Sequence, residues 1–179
     1  MSILMLTGLS GAGKSTLARA LQGRLEQAGH RVALVDGDQF RLTLSRDLGF
    51  SETDRRENIR RLMAVAAEKK RAGFLVLVAA INPFDDQRRQ LAATLGALTV
   101  YVACPLPVLV ARDTKGLYRR ALLPDTHPEK LHNLTGVNDR YDVPPHPDFT
   151  VDTATTPVET AAERLYEFVV ATLRGLPAA

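Results

Sequence analysis

The stretch ILMLTGLSGAGKSTLARAL constrains this chain more than any other. A continuous apolar run from Ile3 breaks into glycines, then resumes with Leu17, Leu21 and Leu25 at helical spacing. The break, Gly8 to Ser15, reads G-x-x-x-x-G-K-S between an expected buried strand and an expected helix. A polyphosphate needs several backbone N–H groups converging on one place. Only a loop with little side-chain bulk wraps that closely, and Gly8, Gly11 and Gly13 supply it. The positive end of a helix starting near Lys14 adds to the attraction. Lys14 reaches the terminal phosphates, and the Ser15 hydroxyl is offered to Mg²⁺. The motif therefore implies a nucleoside triphosphate with Mg²⁺, and is silent on what accepts the phosphoryl group.

Strand and helix patterns alternate along the rest of the chain. RVALVDGD, FLVLVAAI, LTVYVAC and FTVDT read as further strands. KSTLARALQGRLEQAG reads as a helix stopped by Gly29. TDRRENIRRLMAVAAEKKRAG reads as a long one, capped by Thr53 or Asp54, with Glu57 near the capping-box position and Gly73 at its end. DDQRRQLAATLG, LPVLVARD and a closing helix after Pro157 complete the series. This alternation argues for a single α/β domain over 1–179, with a parallel sheet covered by helices on both faces. The one long stretch without periodicity is 114–148, and loops of that length in compact domains are usually functional lids.

Two carboxylates, Asp36 and Asp38, close the second strand, where open α/β sheets border their ligand crevice. They suit a water-mediated Mg²⁺ or the deprotonation of an acceptor hydroxyl; an Asp-Gly-Asp turn is the simpler alternative. Arg41 follows and suits an anionic acceptor group. Arg55, Asn58 and Arg60 or Arg61 fall three to four residues apart on one helical face, which suits an oxyanion as well as solvent.

Composition narrows the classes. Apolar residues are 45% and charged ones 24%, which argues for an ordered globular chain. No apolar run reaches the ~20 residues of a membrane span, so no membrane partner is expected. Nor does a basic region precede the first apolar stretch, so a cytoplasmic location is expected. The single cysteine, Cys104, is expected to be buried at a strand end. The net charge of +3 is spread over scattered pairs, which fits a small polyanion and does not call for nucleic acid. His127, His132 and His146 have irregular spacing, unlike metal-ligand motifs.

Taken in order, LTGLSGAGKST, DGDQFR, DLGFSETDRRENIRR, RDTKGLY and LTGVNDRYDVP resemble the adenylyl-sulfate kinase family from about residue 3 to about residue 155. The resemblance implies a P-loop NTPase-type three-layer α/β/α fold, a mainly parallel five-stranded sheet, and a mobile lid at about 112–148. It implies ATP and Mg²⁺ as cofactors and a homodimer. It also implies transfer of the γ-phosphoryl of ATP to the 3′-hydroxyl of adenosine 5′-phosphosulfate, the sulfate-activation step. By matching motif, Gly8, Leu9, Ser10, Gly11, Ala12, Gly13, Lys14, Ser15 and Thr16 cradle ATP, with Arg112 near its adenine or phosphates. Lys14, Asp36, Asp38 and Arg41 are the catalytic set, with Ser15 and Asp36 at the metal. Asp38, Arg41, Phe50, Arg55 and Asn58 grip the phosphosulfate and its adenine, Ile81 and Asn82 wall the acceptor, and Lys115, Gly116 and Leu117 form the lid.

Four departures gather on the acceptor side. Asn82 stands where the family pattern has serine, so no phosphoenzyme forms at this position. Leu134 replaces a phenylalanine and keeps apolar contact with the acceptor while losing the aromatic face. Asn138 replaces an aspartate, and the lid stretch is longer than usual. They leave open a kinase of the same build with another anionic nucleotide or small metabolite as acceptor. A binding subunit without catalysis fits less well, because Lys14, Ser15 and both aspartates are intact.

Overall fold

The structure, a computed structural model, describes residues 2–175. Five strands, β1 (Ile3–Thr7), β2 (Val32–Asp36), β3 (Leu75–Ala79), β4 (Ala97–Ala103) and β5 (Phe149–Asp152), form one sheet in the order β2-β3-β1-β4-β5. Every pairing is parallel, with Ile3 beside Val76 and Ala97. The helices are α1 (Lys14–Gln27), α2 (Gly37–Arg41), α3 (Glu52–Arg71), α4 (Asp85–Leu95), α5 (Leu106–Arg112), α6 (Leu117–Ala121) and α7 (Val158–Leu173).

β1 and β3 are buried at every residue, as a two-sided parallel sheet demands. Their side chains alternate between two cores. Leu4, Leu6, Leu75 and Leu77 join Leu17, Leu21 and Leu25 of α1 and Leu165 and Val169 of α7 on one face. Ile3, Met5, Val76 and Val78 join Ile59, Leu62 and Met63 of α3 on the other. Each such side chain contributes about 1.5–3 kcal/mol by leaving water, so three layers follow from the strand pattern. Cys104 is buried just beyond β4, as expected.

The strand order positions the site. The chain leaves β1 for β2, returns to β3 beside β1, then crosses to β4 on β1's other side. The loop after β1 therefore opens into the crevice where strand order reverses.

Three local expectations change. The cap of α3 is Ser51, not Thr53 or Asp54: the Asp54 N–H donates to Ser51 Oγ at 3.1 Å, and Ser51 Oγ bonds the Asp54 carboxylate at 2.7 Å. The capping pair begins two residues before the segment read as helix. Asp-Gly-Asp is not a plain turn but opens α2, which Asp36 caps by accepting from the Asp38 N–H at 3.0 Å. The 114–148 stretch is not wholly irregular, since it holds α6. The Asp113 carboxylate nucleates that helix by accepting from the N–H groups of Tyr118 and Arg119 at 3.0 and 2.9 Å.

Candidate active site

The loop after β1 lies closer to β4 than a side chain permits. A Cβ on Gly8 would stand 2.4 Å from the Val102 carbonyl oxygen. Gly13 begins α1 in the left-handed region, and no side chain caps that helix. The loop and the start of α1 border a hollow of about 240 Å³, shared with Asp38, Ile81, Thr114 and Lys115. Lys14 curls back and donates to the Leu9 carbonyl at 2.8 Å. Burial of its ammonium brings its pKa down to about 8; Asp38 opposes that shift and Lys115 adds to it.

At the end of β2 the two carboxylates part ways. Asp36 is buried beneath α2 as its cap, 3.6 Å from Arg19, and lines none of the hollows. Asp38 projects between them, and its carboxylate is paired with the Lys115 ammonium. Gly37 permits this placement: a Cβ there would lie 2.9 Å from the Ala80 side chain.

A second hollow, of about 490 Å³, continues from the first through Ser10, Asp38, Ala80, Ile81 and Lys115. Arg41, Phe50, Arg55, Asn58, Asn82, Leu117 and Leu134 line it together, although they come from four separated stretches of chain. Arg41 lies over the Phe50 ring at 4.6 Å and donates to the Gly49 carbonyl at 2.8 Å. Partial burial, then the neighbouring Arg55, lower its pKa. Arg55 is buried and heavily engaged. It donates to the Phe50 carbonyl at 2.9 Å and the Asn133 carbonyl at 2.6 Å, and it pairs with Asp139 at 3.0 Å. The residue read as an anion ligand thus also ties α3 to the lid.

The 114–148 segment is pinned at other points too. Tyr118 donates its hydroxyl to the Ser10 carbonyl at 2.7 Å, and burial pushes that phenol up to about 12, so it stays a donor. Buried in the core, Tyr118 thus also tethers α6 to the phosphate loop. Asn138 accepts from the Leu134 N–H at 2.7 Å and donates to the Leu131 carbonyl at 2.6 Å. Its amide therefore closes the turn that carries Leu134. Gly116 starts α6 in the left-handed region and lines no hollow.

A third hollow, of about 450 Å³, adjoins the first through Gly13 and Thr16, with Ala12 and Arg112 in its wall. Arg112 donates to the Thr153 carbonyl at 2.9 Å, and Thr153 donates its hydroxyl to the Ala12 carbonyl at 2.9 Å. Of the expected nucleotide residues, Gly8 and Leu9 line none of these hollows: they shape the loop from behind.

The sequence reading missed Thr114, Arg120, Asn133 and Thr135 in the first two hollows and the Thr153–Pro157 wall of the third. Thr135 sat unnoticed within the quoted LTGVND. The Thr153–Pro157 wall had only its threonines and proline after a strand as a signal. Among the described residues, no group of three metal-ligating His, Cys, Asp or Glu side chains assembles, and no helix is long and apolar enough to cross a membrane.

Comparison with known proteins adds the following. The family profile described as adenylylsulphate kinase matches residues 1–152. An adenylyl-sulfate kinase of Myxococcus xanthus is 46% identical over 170 residues, covering 92% of this chain and 89% of that protein. A bifunctional enzyme CysN/CysC of Rhodopirellula baltica is 43% identical over 169 residues, covering 93% of this chain and 25% of that protein. The chain thus spans about a quarter of the bifunctional relatives it matches. The solved structure of the Mycobacterium tuberculosis APS kinase CysC in complex with AMPPNP and APS superposes with a TM-score of 0.85, at 35% identity. It covers 94% of this chain and 97% of that one.

Proposed function

The chain belongs to the adenylylsulphate kinase family, and from that premise we propose that it moves the γ-phosphoryl of ATP to the 3′-hydroxyl of adenosine 5′-phosphosulfate. The observation that carries this reading is the run of three adjoining hollows, with the phosphate loop in the middle one and Asp38 at the junction with the acceptor side.

On this reading the third hollow takes the ATP base, beside Arg112 and the Thr153–Pro157 wall. The loop N–H groups from Ser10 to Thr16 and the Lys14 ammonium hold the triphosphate. Mg²⁺ fits the donor set, because the Ser15 hydroxyl is a hard oxygen in the hollow and the Asp38 carboxylate there would reach the ion through one of its waters. Asp36 holds Asp38 in place by accepting from its N–H as the cap of α2, and a bound ion would neutralise charge on the transferring group. Asp38 takes the proton of the acceptor hydroxyl once Lys115 swings from it to the phosphates. Arg41 and Asn58 face the anionic end of the acceptor, with Arg55 holding both that end and the lid turn. Phe50 and Leu134 enclose its base, and Leu117 and Ile81 complete the walls. The chain's part is positioning and electrostatic stabilisation, which is most of what phosphoryl transfer needs. A homodimer working in the cytoplasm completes the proposal.

The test is ADP release from MgATP, followed in a coupled assay with and without adenosine 5′-phosphosulfate. Strong stimulation is expected. No stimulation with ATP still bound would reject this acceptor and favour another anionic nucleotide or a small metabolite.

A further inference from the structure

The stretch from Asp139 to Asp142, where the chain leaves the lid turn, makes contacts that the proposed chemistry does not use. The Gly136 N–H donates to the Asp139 carbonyl at 2.8 Å, so the turn carrying Leu134 hangs from this stretch. Asp142 then clasps the segment beyond β3. Its N–H donates to the Pro83 carbonyl at 2.8 Å, and its carboxylate accepts from the Asp85 N–H at 3.1 Å. Its carbonyl accepts from Arg88, which also donates to the Asn82 carbonyl at 2.7 Å. Arg88 is buried, and the backbone it holds at Asn82 is left-handed, with φ 41, although a residue before proline favours extended conformations. A buried guanidinium and a strained backbone are both costly, and together they fix one shape at the acceptor wall.

Tyr141 joins that wall to the phosphate loop. Thr7, fully buried at the end of β1, directly precedes Gly8, and its hydroxyl donates to the Ile81 carbonyl. Ile81 lines both the phosphate hollow and the acceptor hollow. With the Thr7 proton committed there, the Tyr141 hydroxyl donates to Thr7 Oγ1 at 3.2 Å. Burial pushes that phenol up to about 12, so it keeps its proton. Neither Thr7 nor Tyr141 lines any of the three hollows. Both can act on the reaction only through what they hold.

We infer that Thr7 and Tyr141 are positioning residues for the transfer step: their hydroxyls hold the root of the phosphate loop, the acceptor wall and the base of the lid at fixed separations. This rests on the kinase reading above. Each substrate is held by contacts on its own side, so loosening the link leaves both affinities alone. In-line transfer needs the reacting atoms about 3–3.5 Å apart, and a misplacement of about 1 Å slows a reaction about a hundredfold. The link therefore acts on rate and not on binding.

The test measures single-turnover transfer from MgATP to adenosine 5′-phosphosulfate with both saturating. Calorimetry gives the affinity for each, with a non-hydrolysable ATP analogue, and thermal melting confirms that each variant is folded at the assay temperature. Tyr141→Phe keeps the ring and removes only the hydroxyl. Its transfer rate should fall about ten- to a hundred-fold, with both affinities unchanged. Thr7→Val should fall at least as far, and adding Tyr141→Phe to it should slow it no further, because that bond is already gone. Thr7→Ser keeps the hydroxyl and should transfer like wild type. Tyr141→Phe at the wild-type rate overturns the inference. A loss confined to acceptor affinity also overturns it, because the hydroxyl would then be a binding contact. So does a slow Thr7→Ser enzyme, which would make the effect one of packing. Wild type that binds ATP but transfers nothing to adenosine 5′-phosphosulfate rejects the kinase reading instead.

Discussion

The Lys115 ammonium, on the turn before α6, is paired with the Asp38 carboxylate in the first turn of α2. The pair closes the junction between the phosphate hollow and the acceptor hollow, since both residues line both. A carboxylate neutralised this way is a poor base, so the proposed mechanism requires substrate entry to draw Lys115 to the phosphates. Asp38→Asn is expected to lower kcat by about 10²–10⁴-fold, the usual scale for losing a general base. Lys115→Met is expected to lower kcat while leaving Asp38 free. Steady-state kinetics of both variants check this. A Lys115→Met enzyme of undiminished kcat would remove the lysine from the transfer step.

On the proposed reading, Lys14 is expected to make nucleotide binding pH-dependent. Its folded pKa of about 8 lies below the ordinary 10.5 because of burial. Between those values the unfolded chain holds more protons, so this group makes the nucleotide-free protein gain stability as pH rises through that window. A polyphosphate favours the ammonium, so ATP binding should take up protons above pH 8. Calorimetry in buffers of different ionisation enthalpy measures the uptake, which should vanish in Lys14→Met. Equal uptake in that variant would assign the proton to another group.

Arg55 joins α3, the Phe50 loop and the lid turn through three partners. Arg55→Ala leaves Asp139 and two carbonyls without their donor, and should cost about 3 kcal/mol in denaturant unfolding. KM for the acceptor should rise while KM for ATP changes little. A variant as stable as wild type would show that Arg55 serves ligand binding alone.

Gly8 admits no side chain, since a Cβ would meet the Val102 carbonyl at 2.4 Å. Backbone cannot give way as a flexible side chain can, so Gly8→Ala should lose about 3 kcal/mol of stability and most ATP affinity. Thermal unfolding with and without MgATP checks both effects.

How far the residues foretold this arrangement depended on whether a signal was local. The phosphate loop was legible because motif, strand and helix lie in one short stretch. The strand alternation was legible too, since β1 is apolar up to Thr7 and β3 throughout, and glycines stop α1 and α3. The order β2-β3-β1-β4-β5 was not, because nothing in a strand's own composition names its neighbour. Ser51 was overlooked as a cap because the helical periodicity begins after it. The ties of Arg55 were out of reach for a different reason. Asn133 is 78 residues away in sequence, so a helical face of arginines looked like solvent or anion ligands until the fold brought the lid turn beside it. The separation of Asp36 from Asp38 depended on α2, a five-residue helix that Asp-Gly-Asp disguised as a turn.

The most direct measurement is to follow the γ-phosphoryl itself. Wild type is incubated with MgATP labelled in that group and with adenosine 5′-phosphosulfate, and the products are separated and identified by mass and by position. The account predicts label on the 3′-oxygen of the phosphosulfate and none on the protein, where Asn82 offers no hydroxyl. Label recovered only as inorganic phosphate, or retained on the chain, would contradict it.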